Sequence, residues 1–560
     1  KRSEIESQIE SFTILLNDLR RQLAKVDEDI DSHRRLISGI HMLPLELLQK
    51  IFSFCLPSYN CAMSAAEAPL ILTCICRKWR EAALSAPQFW SRLHISMPSC
   101  TDENLRSKGV ISRYGDAIKT WLDRASGLPL SISFVNGLSS QNPGLSDRLD
   151  SHILGIIASF ARNWVHLNLK LKYEQLAHFS HLTESNVPLL ETVQLEIPPP
   201  SLFRSIQGPG PAQKKHIPFF SAPSIKHLLL RGWSDVSSLP IRWGAMTRLS
   251  LLSWSNQLTG IELNVVENIL RQCPNLVVCT LQIHNIFGVP PGMPSHPSKP
   301  LRLLCLEELR VYFHHGDTSS EEKITSFFGN LEVPEIRHLE VTAYAVTCCQ
   351  VPFMPLLLRP HKIDTMSFLV HGSEDYLLEC LRAVPLLRRL ALITQTCHSM
   401  IPPAEAAAYS RLHESLLDYL TAPALSENLE PEPNSLTLCP FLEEIEFTFP
   451  LDLRISVEQI IRFLLSRTTL APAEVAPLRR ADFFIREICD STRNAMSSHT
   501  GLGTALQAGL DLSMHYYPDT EATQVVESLP VFSAKRDIDI SQPHYDWKPR
   551  PGFSAHVSRF

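Results

Sequence analysis

The chain has 560 residues, 44 % hydrophobic and 20 % charged, with a formal net charge of −6. That balance describes a globular chain and excludes broad phosphate binding, which needs a basic face, so nucleic acid is not an expected partner. No apolar run reaches the roughly 18 residues of a membrane span, so no membrane contact is expected either.

The chain opens on Lys1 rather than Met, with no signal-peptide pattern after it, which leaves its natural start open. In residues 1–40 the apolar side chains fall at Ile5, Ile9, Phe12, Leu16, Leu19, Leu23, Val26 and Ile30, in steps that alternate four and three. This is the seam of a heptad helix. Glu4, Glu10, Asp18, Arg20, Arg21, Lys25 and Asp27 lie between as a solvated surface. The seam either joins a second copy of the chain as a homodimer or folds back on the segment that follows.

Residues 41–95 read as a module of short helices. Pro44 suits a first helical turn, where a missing N–H costs nothing. Leu47, Leu48, Ile51, Phe52 and Cys55 then recur at helical spacing, and Pro57 stops the helix. After a loop at 58–68, a second helical stretch runs from Leu70 to Leu84 with Ile71, Cys74, Ile75, Lys78 and Trp79 along one side, followed by Pro87, Trp90 and Leu93. This is more apolar surface than about fifty residues can hide internally, so a partner is expected.

The string Leu43-Pro44-x-Glu46, Ile51-Phe52, Cys76-Arg77-x-Trp79-Arg80, Pro87-x-x-Trp90 resembles the F-box, in the form common in large fungal F-box families. The resemblance implies binding to a small Skp-type adaptor that links to a cullin scaffold and a RING protein. It implies that Leu43, Pro44, Leu47 and Ile51 contact the adaptor, while Trp79 and Trp90 brace the module or line the junction.

Residues 96–160 read as a linking segment and cap. Over 161–490 a short pattern recurs, often Pro and then x-Leu-x-x-Leu-x-Leu: Pro188–Leu195, Pro223–Leu230, Pro274–Leu281, Pro334–Val341, Pro385–Leu392 and Pro440–Phe447. Weaker copies lack the proline. The first apolar positions are Trp164, Leu190, Ile225, Leu249, Leu276, Leu306, Ile336, Ile363, Leu387, Leu442 and Leu478, most often roughly 24–30 residues apart, near the period of leucine-rich repeats. The x-Leu-x-Leu half alternates as a strand, and runs such as Val265–Cys273 and Tyr376–Val384 read as helices. The expected fold class is therefore α/β: an irregular leucine-rich-repeat-like solenoid, a curved parallel sheet with helices outside, preceded by an all-α module and a coiled-coil helix. The repeats resemble those of F-box receptors, without the Asn or Cys that usually follows the strand. Larger steps coincide with Pro-rich insertions at 198–211, 289–300 and 421–434. Residues 491–560 lose the pattern and read as a cap or tail, with Gly501-Leu502-Gly503 as a turn.

Strand positions that alternate away from the core line a surface for a target protein. Arg231, Arg310, Tyr312, His338, Glu340 and Arg389 are the candidate contacts, among neighbours such as Thr280, Glu308, Glu444 and Glu446. Such a mixed face suits a protein segment.

Cys55, Cys74, Cys76, Cys279 and Cys305 sit in apolar stretches; no Cys-x-x-Cys pair and no Asn-x-Ser/Thr acceptor occurs. Buried thiols in a reducing compartment are expected, hence a cytoplasmic or nuclear protein, with no metal and no cofactor. Phosphate-loop, zinc-protease and nucleophile-elbow motifs are missing from the sequence, so no enzyme activity is expected. The expected function is a substrate-recognition subunit of a cullin–RING ubiquitin ligase. The alternatives are a scaffold acting outside a ligase, or an α/β enzyme built from dispersed residues.

Overall fold

The computed structural model describes residues 2–37, 39–96, 108–136, 143–198, 217–233, 235–253, 261–283, 300–314, 318–344, 351–369, 374–393, 417–422, 438–448, 457–471, 473–486 and 499–517. The insertions at 198–211, 289–300 and 421–434 lie almost wholly outside them. The chain divides into two units, Lys1–Ser96 with Gly109–Ile132, and Met97–Lys108 with Ser133–Phe560. The segment read as a linker is thus split, with 109–132 belonging to the first unit.

The first unit starts with α1 (Arg2–Ile37), α2 (Leu45–Cys55), α3 (Leu70–Ile75) and α4 (Arg77–Leu84). β1 (Arg92–Ser96), α5 (Lys108–Arg124) and the start of β2 (Leu130–Val135) complete it. Helix α2 begins one residue after Pro44, whose carbonyl accepts the first helical N–H from Leu48 at 3.1 Å. The proline therefore precedes the first turn rather than occupying it. The stretch Leu70–Leu84 is two helices. Cys76 is extended between them, and its sulfur accepts the Trp79 N–H at 3.5 Å as a cap. The loop after α2 is pinned by Arg92, which donates to the carbonyls of Pro57 and Ser58 at 2.6 and 3.0 Å, and by the His94 N–H donating to Cys61 O.

His94 lies within this packing, and burial pushes its imidazole down to about 4. The folded state holds the neutral ring while the unfolded chain protonates near 6.5. Unfolding therefore takes up a proton between those values, and stability falls as pH drops through that window. Urea denaturation at pH 4.5 should show a loss of about 2–3 kcal/mol relative to pH 7, reduced in His94→Gln. An acid limb unchanged in that variant would place the titration elsewhere.

The second unit carries a parallel sheet whose strand order follows the chain. Its strands are β3 (Trp164–Lys170), β4 (Thr192–Glu196), β5 (His227–Arg231), β6 (Arg248–Leu252), β7 (Val278–Ile283) and β9 (Glu308–His314). They continue as β11 (His338–Tyr344), β12 (Thr365–Leu369), β13 (Arg389–Ile393), β14 (Glu444–Thr448), β15 (Arg480–Arg486) and β16 (Asp511–Tyr517). A separate small sheet pairs β8 (Leu301–Arg302) with β10 (Leu331–Glu332). Every strand read from the repeats is present, each starting at, or within two residues of, the first apolar position of its copy. The runs read as helices at 265–273 and 376–384 are the helices Leu263–Leu270 and Glu374–Ala383.

The first apolar residue of each copy (Leu190, Ile225, Leu276, Leu306, Ile336, Ile363, Leu387, Leu442) is buried in a turn, and alternate strand residues such as Leu339 and Val341 are buried after it. No single copy can cover these side chains; stacking neighbours can. The residue just before each strand also hands a backbone hydrogen bond to its counterpart in the copy before. The ladder runs Glu191, Lys226, Thr247, Val277, Glu307, Arg337, Asp364, Arg388, Glu443, Arg479.

The reading of Gly501-Leu502-Gly503 as a turn needs correction. The described residues 499–517 form a helix, Thr500–Gln507, and β16, which pairs with β15. Gly501 and Gly503 lie inside that helix rather than in a turn. The cysteine reading is also corrected: Cys279 is buried, but Cys55, Cys74 and Cys305 are exposed and Cys76 is half-buried. Among the described residues every cysteine is a free thiol.

Candidate docking surface and polar sheet face

Helix α2 is apolar on both sides, and α4 takes only one of them. Leu48 and Phe52, four apart, are buried, with the Phe52 ring 4.8 Å from Trp79 and 6.4 Å from Phe89. Gln49 donates to Ala82 O at 3.1 Å, and Lys78 donates to Leu43 O at 3.0 Å, which fixes the two helices side by side. The other stripe is left open: Leu47 is 53 % exposed, Ile51 42 % and Phe54 78 %. Met42 and Leu45 precede it, and Ile71 with Ile75 forms a second exposed pair on α3. Large apolar side chains gathered at this density on helices mark an interaction surface.

Of the residues assigned to adaptor contact, Leu47, Ile51 and Pro44 are exposed and Leu43 is half-buried. Trp79 is half-buried against Phe52. Trp90 is fully buried, donates its indole N–H to Ala83 O at 3.0 Å, and sits edge-on to Trp121 at 4.8 Å. Fully enclosed, it is placed to brace the module and not to line a junction with the adaptor. The resemblance assigned Leu47 and Ile51 to the adaptor but not Phe54 or Ile75, and periodicity alone cannot tell which side of a doubly apolar helix turns inward.

On the sheet of the second unit, Arg310, Tyr312, His338 and Glu340 come together on the adjacent strands β9 and β11. Glu340, only 1 % exposed, accepts the Tyr312 hydroxyl at 2.6 Å and lies 3.5 Å from Arg310 Nε and 3.9 Å from His338 Nε2. Arg310 also pairs with Glu308. Arg389, on β13, is exposed and pairs with Glu444 at 3.5 Å. Arg231, on β5, stands three strands from Arg310, about 14 Å away at the usual strand spacing. The six named residues thus share one face, but only four form a cluster.

The register places a further set on this face, in the row Arg310, Glu340, Ser367, Ala391, Glu446, Asp482. Ser367 and Asp482 were not among the positions read from the sequence. Both are buried, with Arg480 donating to Asp482 at 2.6 Å. Among the described residues no group of His, Cys, Asp and Glu could hold a metal ion.

No described helix is long and apolar enough to cross a membrane. No family model and no curated protein matches the chain.

Proposed function

We propose that residues 41–95 act as an F-box, docking the chain onto a Skp-type adaptor, and that the sheet of the second unit selects a target protein for ubiquitin transfer. The observation that carries this reading is the open stripe Leu47–Ile51–Phe54 on a helix whose opposite stripe is already packed. Covering each such side chain is worth roughly 1.5–3 kcal/mol, enough together to hold a partner. Strands that pair in chain order, most of them preceded by a buried leucine or isoleucine, support the reading of the body as a leucine-rich-repeat-like solenoid. The chain contributes no catalytic residue in this scheme. It works by proximity, holding a target near a ubiquitin-charged enzyme, in the cytoplasm or nucleus.

The test is co-purification of the full chain with the adaptor. Leu47→Asp with Ile51→Asp should reduce capture at least about a hundredfold, because two charges would be buried unpaired. Both sites are exposed, so the thermal transition should stay in place. Undiminished capture by that variant would sink the docking surface. Cullin in the wild-type complex favours the ligase; adaptor without cullin favours the scaffold.

A further inference from the structure

We infer that α1 joins two copies of the chain side by side, parallel and in register. The seam side chains described on α1, namely Ile5, Phe12, Leu16, Leu19, Leu23, Val26 and Ile30, are 43–66 % exposed. Folding back on the module is therefore not what covers them. A lone helix with this much apolar surface in water is a poor end state, since helix stability in proteins comes mainly from packing of the apolar face.

The spacing says what kind of surface completes it. The steps from Ile5 to Ile30 alternate four and three without a break, a period of 3.5. A helix lying on a flat globular or lipid surface keeps its stripe at 3.6, and over several heptads a strict 3.5 seam drifts off such a face by about 20° per heptad. Only a partner that supercoils with it stays in contact throughout, and a second copy carries the same seam. Lipid is disfavoured as well. The face between seam positions mixes Glu4, Glu10, Asp18, Asp27 and Asp29 with Arg20, Arg21 and Lys25, whereas surface-lying helices are rich in Lys and Arg there.

The flanking positions choose the direction. In a parallel pair the residue before one seam layer faces the residue five further on in the other copy. By sequence position those pairs are Gln8 with Thr13, Leu15 with Arg20, Gln22 with Asp27 and Asp29 with Arg34. None is like-charged, the last is opposite, and Gln22 can donate to Asp27. An antiparallel pair with matched seams sets the heptad position of Glu6 against that of Asp27 twice, a like-charge contact at both ends.

The full chain should elute with twice the 63.1 kDa mass of one chain in light scattering at micromolar concentration. Leu16→Asp with Leu23→Asp should return it to one chain with the main thermal transition unmoved, since both side chains are exposed within one chain. Under oxidation, Ile5→Cys should yield a disulfide-linked pair well above the wild-type background. Antiparallel chains would hold those two residues about 37 Å apart and instead cross-link a mixture of Ile5→Cys and Ile30→Cys. A wild-type mass of one or three chains, or preferential cross-linking in the mixture, overturns the inference.

Discussion

Replacing Trp90 by alanine should cost the first unit about 3–5 kcal/mol, in the range measured for buried Trp and Phe truncations. The indole is wholly enclosed, spends its only polar group on Ala83 O, meets Trp121 edge-on, and carries the Arg124 guanidinium 4.6 Å above its ring. The Trp121 and Arg124 contacts tie α5 to the turn after α4, so the loss would be felt across the module. Trp90→Phe should recover much of the volume but leave Ala83 O unpaired, and fall between the two. Because the proposed docking stripe rides on this core, Trp90→Ala should also lose the adaptor if that proposal holds, but through unfolding, with the urea midpoint shifted. Leu47→Asp with Ile51→Asp should lose the adaptor with the midpoint in place. A Trp90→Ala chain with an unmoved midpoint would show that the bracing role is misassigned.

Arg467→Met should be comparably damaging, about 3–5 kcal/mol. Arg467 ends the helix Val457–Ser466, is fully buried, and donates to the carbonyls of Leu420, Cys439 and Leu438 at 2.8, 2.9 and 2.6 Å. Among the described residues no carboxylate pairs with it. Burial pulls its guanidinium down to about 10, still charged at neutral pH. Cys439 sits at φ 50°, a left-handed conformation disfavoured for a side-chain-bearing residue, and the guanidinium grips the carbonyls of that residue and the one before it. Methionine would fill part of the space, leave the carbonyls of Leu420 and Leu438 without the guanidinium donor, and leave Cys439 O with only the Leu442 N–H. Arg467→Lys should rescue only in part, because an ammonium lacks the fork that reaches separated acceptors. Near-wild-type denaturation of Arg467→Met would mean that water takes over those carbonyls.

The strands were the most legible part of the molecule. The period-2 leucines mark β3 through β7, β9 and β11 through β15, since stacking buries the same positions in every copy. β16 escaped because Asp511-Leu-Ser-Met-His-Tyr-Tyr517 has neither the proline nor the leading leucine turn. The helix Leu45–Cys55 was legible as a helix, but periodicity alone did not show which side faces out. Leu47 and Leu48, or Ile51 and Phe52, are equivalent in sequence until α4 takes one of each pair. Cys55 and Cys74 were misjudged for the same reason, as apolar neighbours on a helix do not show which way it faces. Arg467 carried no signal at all, because a buried arginine in sequence looks like a surface one.

The hydrogen-bonded ladder ahead of the strands has a polarity worth following. From Glu307 onward its members are acid, base, acid, base, acid, base: Glu307, Arg337, Asp364, Arg388, Glu443, Arg479. Arg388 lies 3.7 Å from Glu443 and Arg479 3.5 Å from the same carboxylate, with Lys226 and Glu191 pairing earlier in the series. Each contact is worth only about 0.2–1 kcal/mol at such exposure. Excising one copy from this stretch would bring two acids or two bases face to face at a cost of that size, whereas excising two would restore the sequence of signs.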